Sequence, residues 1–189
     1  DEIHADLMLY GNRHVPFASV SDAAARVAIT FGAPSKTFNI AGLVSSWCVI
    51  KNPELRDDFF KWLTVNEFNA PTFIAMQATE CAYNQCEDWL DEMLQYIEGT
   101  IGAVETLVAE LLPQVRVIRP QASFMIWLDC RGLGLDHDTL IDRFVNHAHL
   151  ALNDGAMFGT QGSGFMRLNI GEPRTVVLDA IRASAAAVR

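Results

Sequence analysis

A primary amine a few residues past an apolar run is the first feature of this sequence that could do covalent chemistry. Lys36 follows Val27-Ala28-Ile29-Thr30-Phe31 across Gly32-Ala33-Pro34-Ser35. In an open α/β sheet, ligands bind in the crevice beyond the carboxyl ends of strands. A lysine held there is expected to be partly desolvated, which lowers its pKa and frees the amine to attack a carbonyl. A solvated loop lysine would read the same, so the Ser35-Lys36 pair alone assigns nothing. Arg167 lies between Met166 and Leu168 in a strand-like segment, and period 2 puts it on the opposite face from them. Its planar, permanently charged fork suits a carboxylate, although a solvated face would look identical. His147 and His149 alternate as a strand metal pair would, near Asp136, His137 and Asp138. A metal site needs a third ligand and a supporting shell, and none is expected here.

The elements that must carry these residues follow from apolar spacing and from breakers. Residues 5 to 9 read as the end of an extended segment, closed by a turn at Gly11-Asn12. Val27 to Phe31 is rich in β-branched residues and reads as a strand buried on both faces of a parallel sheet. Val44 to Ile50 reads as the next strand. Asn52-Pro53-Glu54 opens a helix with proline in its first turn, running to about Leu63. Pro71 starts another, reaching to about Tyr83. From Glu87 to Leu112 the apolar residues recur in steps of mostly three and four, which predicts one long amphipathic helix stopped by Pro113. Strands are expected at 115–118 and 123–128, a helix over 136–147, extended chain at 148–152, a strand at 164–169 and a terminal helix over 173–187. This order is that of an α/β protein, with the long helix as the hinge between residues 1–85 and 86–189. Phe59, Phe60 and Trp62 are expected in the core or at a subunit interface.

Composition narrows the partners. Half of the 189 residues are apolar and 20% are charged, enough to bury a core and exclude disorder. Fourteen Lys+Arg against 23 Asp+Glu give a net charge of −9 and a pI near 4.9. Such a surface repels phosphate backbones, so neither nucleic acid nor an anionic membrane is an expected partner. No stretch approaches the roughly 18 apolar residues of a membrane span, and no basic-then-apolar leader is present. A mean hydropathy of +0.15 leaves apolar surface for a partner. Cys48, Cys81, Cys86 and Cys130 sit in apolar segments without a CxxC pair, as reduced, packed thiols of a cytosolic protein would. The chain opens at Asp1-Glu2-Ile3-His4 without Met, cap or strand lead-in, and reads as a fragment starting in mid-fold.

Four segments together carry a resemblance. Ala33-Pro34-Ser35-Lys36-Thr37-Phe38-Asn39-Ile40-Ala41-Gly42-Leu43 resembles the Schiff-base loop of the fold-type-I pyridoxal-phosphate enzymes, in particular the cystathionine β-lyase (carbon–sulfur lyase) branch of the class I/II aminotransferase superfamily. Asp1-Glu2-Ile3-His4 resembles that branch's pyridine-nitrogen motif. Leu152-Asn153-Asp154-Gly155-Ala156-Met157-Phe158-Gly159 resembles its late glycine-rich turn, and Gly164-Phe165-Met166-Arg167-Leu168-Asn169-Ile170-Gly171 its substrate-carboxylate motif. The match covers essentially all 189 residues and corresponds to the carboxyl-terminal half of a typical member. The implied fold is the end of the large-domain sheet (1–85), followed by the connecting helix and the small C-terminal α/β domain (86–189).

The resemblance also implies roles. Lys36 would bond the aldehyde of pyridoxal 5'-phosphate and then serve as general base. Asp1 would keep the pyridine nitrogen protonated, which makes the ring an electron sink. His4 stands where a tyrosine usually donates to the ring 3′-oxygen, Ser35 would donate to the phosphate, and Arg167 would grip the substrate α-carboxylate. Aminotransferases usually place an arginine about eight residues after the lysine; Val44 stands there, which leans the reading toward the lyases. A glycine-rich phosphate turn, a ring-stacking aromatic and an Asn-Pro motif belong upstream of residue 1. The implied activity is β-elimination from cystathionine or cysteine conjugates, with aminotransferase as the alternative. The substrate would be a small amino acid and the full-length parent a cytoplasmic homodimer, while the fragment alone would bind cofactor weakly and not turn over.

Overall fold

Capping side chains decide where several helices begin. The computed structural model of the chain describes residues 1–188. Ser21 accepts a hydrogen bond from the Ala24 amide and starts α1 (Asp22–Val27), in a stretch where alanines favour helix. This corrects the expected strand. Val27 ends α1 at 73% exposure, and only Thr30–Gly32 forms β1. Among the described residues β1 pairs with β2 (Trp47–Val49) alone, and antiparallel, through Thr30↔Val49 and Gly32↔Trp47. Phe31, Trp47 and Val49 are exposed, so the doubly buried parallel strand is not what forms. An apolar run reports what a surface can bury and leaves open what stands beside it.

The rest of the first unit, Asp1–Met93, is mainly helical. Pro34 opens the single turn α2 (Pro34–Thr37). Asn52 caps α3 (Pro53–Val65) by accepting from the Glu54 amide, and Thr72 caps α4 (Phe73–Gln85) by accepting from the Ala75 amide. Both sit beside a proline signal, which is why the sequence announces them. α3 buries none of its residues; Phe60 and Trp62 are exposed, so they are not core here. Cys81 is exposed as well, contrary to the packed thiol expected, because only Ala75 and Ala82 of α4 face inward.

The second unit, Leu94–Arg189, has its own core. α5 (Glu87–Leu111) begins in the first unit and runs for 25 residues, burying Ile97, Thr100, Ile101, Val104 and Val108 at helical spacing. A four-stranded antiparallel sheet follows in the order β3 (Arg116–Ile118), β4 (Met125–Asp129), β6 (Phe165–Asn169), β5 (Asn153–Asp154). Between β4 and β5 lies α6 (His137–Asp142), which continues into a π turn over Arg143–His147. Chain 148–152 is irregular, and extended chain forms only directly after it, as β5. α7 (Arg174–Ala187) buries Val177, Ile181 and Ala185. Strand alternation sets the faces: Ile126 and Leu128 of β4 pair with Leu168 and Met166 of β6 on the buried face. Trp127 and Arg167 pair on the other.

Candidate functional site

Two groups of residues are separately built, one in each unit. In the first, the N-terminal segment lies beside β1 because the Glu2 amide donates to the Phe31 carbonyl at 2.8 Å. Glu2 is anchored in turn: its carboxylate accepts from the Phe17 amide at 2.9 Å and meets His14 Nε2 at 3.2 Å. Burial pushes the Glu2 carboxyl up, but these bonds outweigh it and hold it below its usual range. Asp1, one residue from this rung, turns its carboxylate to the Ile3 amide at 3.1 Å. His4 is half-buried in the turn over residues 3–6, its carbonyl accepting from the Leu7 amide at 3.0 Å. Leu7 and Leu9, which follow it in the chain, are fully buried.

Lys36 lies five residues beyond Phe31, on α2. Ala33, Pro34 and Thr37 are buried, Ser35 is half-buried, and Lys36 is exposed. Pro34 and Thr37 are one turn apart and share the inward face, so the intervening lysine points outward. Among the described residues Lys36 is exposed, on a turn whose backbone the buried Pro34 and Thr37 anchor. Thr37 is fully buried and its hydroxyl donates to Asp6 Oδ2 at 3.0 Å, tying the lysine turn to the N-terminal segment. Sequence reasoning did not single out Thr37 or Asp6. After α2, Phe38 packs edge-on against Tyr83, with centroids 5.5 Å apart. Tyr83 accepts from Trp47 Nε1 at 3.2 Å. Gly32 makes room for that indole: a Cβ there would lie 2.2 Å from the Trp47 ring. Val44 is 82% exposed and adopts φ +50°, which a β-branched residue rarely does.

The second group surrounds Arg167. Its Nε and Nη2 both donate to Asn153 Oδ1, at 3.3 and 3.0 Å, across the β5–β6 pair. Its guanidinium lies 4.4 Å from the centroid of the Phe158 ring. Phe158 meets Trp127 edge-on at 5.7 Å, and Trp127 stacks on Phe165 at 5.4 Å. A cleft of about 190 Å³ opens beside this arrangement, lined by Arg167, Asn153, Leu150, Leu152, Val176 and Ala180 among others. The preceding glycine-rich turn needs its glycines, since a Cβ on Gly155 would sit 2.3 Å from the Gly162 carbonyl. Asn153 and Phe158 were read only as parts of that turn. Cross-strand register, which a single sequence does not display, is what makes them neighbours of Arg167.

Nearby polar groups serve the scaffold. His137 Nδ1 accepts from the Gly164 amide at 3.3 Å, and Nε2 faces Asp154 at 3.0 Å off the ideal hydrogen-bond direction. His147 pairs with Asp142 at 3.2 Å. Asp129 takes two bonds from the Arg131 side chain at 2.8 Å. The Arg131 hydrogen bonds outweigh burial and bring the Asp129 carboxyl down to about 2. Burial and then the Asp129 charge push the Cys130 thiol up to about 12. Asp1, His4, Ser35 and Lys36 thus belong to the first unit and Arg167 to the second.

No protein-family model matches the chain, but individual proteins do. It is 42% identical over 188 residues to the cystathionine β-lyase PatB of Bacillus subtilis, covering 100% of this chain and 49% of that protein. Among solved structures it is similar to cystalysin from Treponema denticola, which contains pyridoxal 5'-phosphate. That match has a TM-score of 0.94 and 33% identity, over 99% of this chain and 48% of the other. It is also similar to the pyridoxal-phosphate-bound C–S lyase of Staphylococcus hominis, with a TM-score of 0.86 and 29% identity over 100% and 48%. The chain spans about half the length of the curated relatives it matches. It belongs to the fold-type-I pyridoxal-phosphate enzymes, in their cystathionine β-lyase branch, and corresponds to the carboxyl-terminal half of such a protein.

Proposed function

We propose that the complete protein is a pyridoxal-phosphate-dependent C–S β-lyase acting on cystathionine or a related cysteine conjugate. The observation that carries the reading is the exposed Lys36 on its anchored turn, in a chain 42% identical along its length to a cystathionine β-lyase. The donor set fits the cofactor in kind: an amine for an aldehyde (Lys36), a carboxylate for a protonated ring nitrogen (Asp1), a half-buried hydroxyl for a phosphate (Ser35) and an imidazole for the ring oxygen (His4). When bound, pyridoxal phosphate draws electrons from the substrate's α-carbon. Lys36 Nζ then takes the α-proton as general base. Arg167 holds the α-carboxylate and so fixes which α-bond is presented. The β-carbon–sulfur bond breaks, the thiolate leaves with the electron pair, and hydrolysis of the resulting enamine gives pyruvate and ammonia.

The same reading makes residues 1–85 the end of the cofactor-binding large domain, and 86–189 the connecting helix and small domain. It makes the protein a cytoplasmic homodimer, supported by four free thiols and by the exposed Phe60 and Trp62. Among the described residues no helix is long and apolar enough to cross a membrane. Residues 1–189 alone are expected to bind the cofactor weakly and not to turn over. The test is to incubate the complete protein with cystathionine, with and without a keto acid. Pyruvate and thiol released without keto acid support the lyase; conversion of the keto acid to its amino acid, with cystathionine consumed and no pyruvate released, makes the protein an aminotransferase.

A further inference from the structure

Arg167 has five N–H donors in a fixed fork, and the fold has already committed part of that fork. Asn153 Oδ1 takes Nε and one proton of Nη2, at 3.3 and 3.0 Å. This is the side edge of the guanidinium, one of the two edges on which a carboxylate can dock with both oxygens. One flat face is occupied by Phe158, 4.4 Å away at the centroid, and Phe158 is itself steadied by Trp127 at 5.7 Å. The cross-strand pairs Asn153↔Arg167 and Trp127↔Arg167 fix Asn153, Trp127 and Arg167 by backbone register, and Phe158 follows on the turn Gly155–Phe158. Among the described residues no hydrogen bond takes the end edge, formed by Nη1 and the second proton of Nη2, and Arg167 also lines a cleft of about 190 Å³ that it shares with Asn153 and the carboxylate of Glu172.

We propose that Asn153 and Phe158 are positioning residues that fix the edge of Arg167 offered to the substrate, so that the α-carboxylate is taken end-on through Nη1 and Nη2. The inference rests on the proposed role of Arg167 as carboxylate holder. Losing Asn153 frees the side edge and lets the guanidinium rotate, so the carboxylate meets a mixture of orientations. A bond to a charged group is worth enough to change binding by about tenfold.

The experiment uses the complete, cofactor-loaded enzyme and four variants: Arg167→Ala, Asn153→Ala, Asn153→Asp and Phe158→Leu. Asn153→Ala is expected to raise KM for cystathionine about tenfold with kcat changed less than about threefold. Phe158→Leu, which keeps apolar bulk but loses the ring face, is expected to raise KM about threefold. Asn153→Asp keeps the acceptor but neutralises the guanidinium, and is expected to raise KM beyond Asn153→Ala. The inhibition constant of the decarboxylated substrate analogue, which has no carboxylate to place, is expected to stay at the parent value in all four. Equal weakening of the analogue would mean general loosening of the fold and would overturn the proposal. So would a KM near the parent value for Asn153→Ala and Asn153→Asp while Arg167→Ala is impaired. If Arg167→Ala itself keeps the parent KM, the carboxylate-holder reading fails first and the positioning role falls with it. Should Asn153→Ala not fold, the Asn153→Asp and Phe158→Leu measurements decide alone.

Discussion

The turn that carries Lys36 buries its backbone and frees its side chain, whereas the strand that carries Arg167 ties down the side chain itself. Around Lys36, Pro34 and Thr37 are buried and the Thr37 hydroxyl is held by Asp6, yet Lys36 itself is exposed. Around Arg167, two hydrogen bonds and an aromatic face immobilise the guanidinium. The difference matches the two tasks proposed for them. An amine that exchanges bonding partners during a cycle needs a fixed root and a mobile tip. A guanidinium that only orients a carboxylate binds better when its rotamer freedom, about 2 kcal/mol for such a side chain, is removed before the substrate arrives.

The largest test of that contrast is at the mobile tip. In the complete enzyme, Lys36→Ala is expected to cut turnover by about 10²–10⁴-fold while the far-ultraviolet circular dichroism stays as in the parent. A parent-like rate would remove Lys36 from the chemistry. Behind the fixed guanidinium, Leu168 is buried on the opposite face of β6. Leu168→Ala is expected to cost about 2–5 kcal/mol in urea unfolding, and a loss under 1 kcal/mol would mean that the core does not stiffen this strand.

Acid gives a third test, confined to the second unit. Asp129 has a folded pKa of about 2 against an ordinary 3.8, so the folded state binds its proton less readily than the unfolded chain. The stabilisation is complete above pH 4 and is lost as the pH falls through 2. It amounts to about 2 kcal/mol, and Asp129→Asn should abolish that portion of the acid limb in urea midpoints measured from pH 5 to 2. The smallest effect belongs to the root of the lysine turn. Thr37→Val removes the bond to Asp6 and is expected to cost about 1 kcal/mol in the thermal unfolding of the complete enzyme. No change in Tm would mean that buried shape alone seats the turn.

Where the sequence was legible, one local signal decided the outcome. The 25-residue α5 stands within a residue of its expected span, because three-and-four spacing and Pro113 need no tertiary context. The Asn52-Pro53 start of α3 was equally plain. Arg167 falls on the face opposite Met166 and Leu168 as period 2 requires. Legibility ended wherever neighbours decide. The run from Val27 to Phe31 is apolar, yet Ser21 draws Val27 into a helix and Phe31 is left exposed. Lys36 was read from its motif, and its exposure beside the buried Pro34 and Thr37 follows from helical spacing that the motif alone does not display. Asn153 stood in plain view within a recognised segment, and only its register against β6 gives it a partner.

The notch at Gly32 has an optical consequence. The Trp47 indole rests across a strand residue that has no side chain, donates to Tyr83, and through Tyr83 touches Phe38, two positions beyond Lys36. Its emission is therefore coupled to the seating of the lysine loop. In a variant whose other three tryptophans are replaced, Trp47 would act as a built-in gauge, shifting wavelength when that loop rearranges.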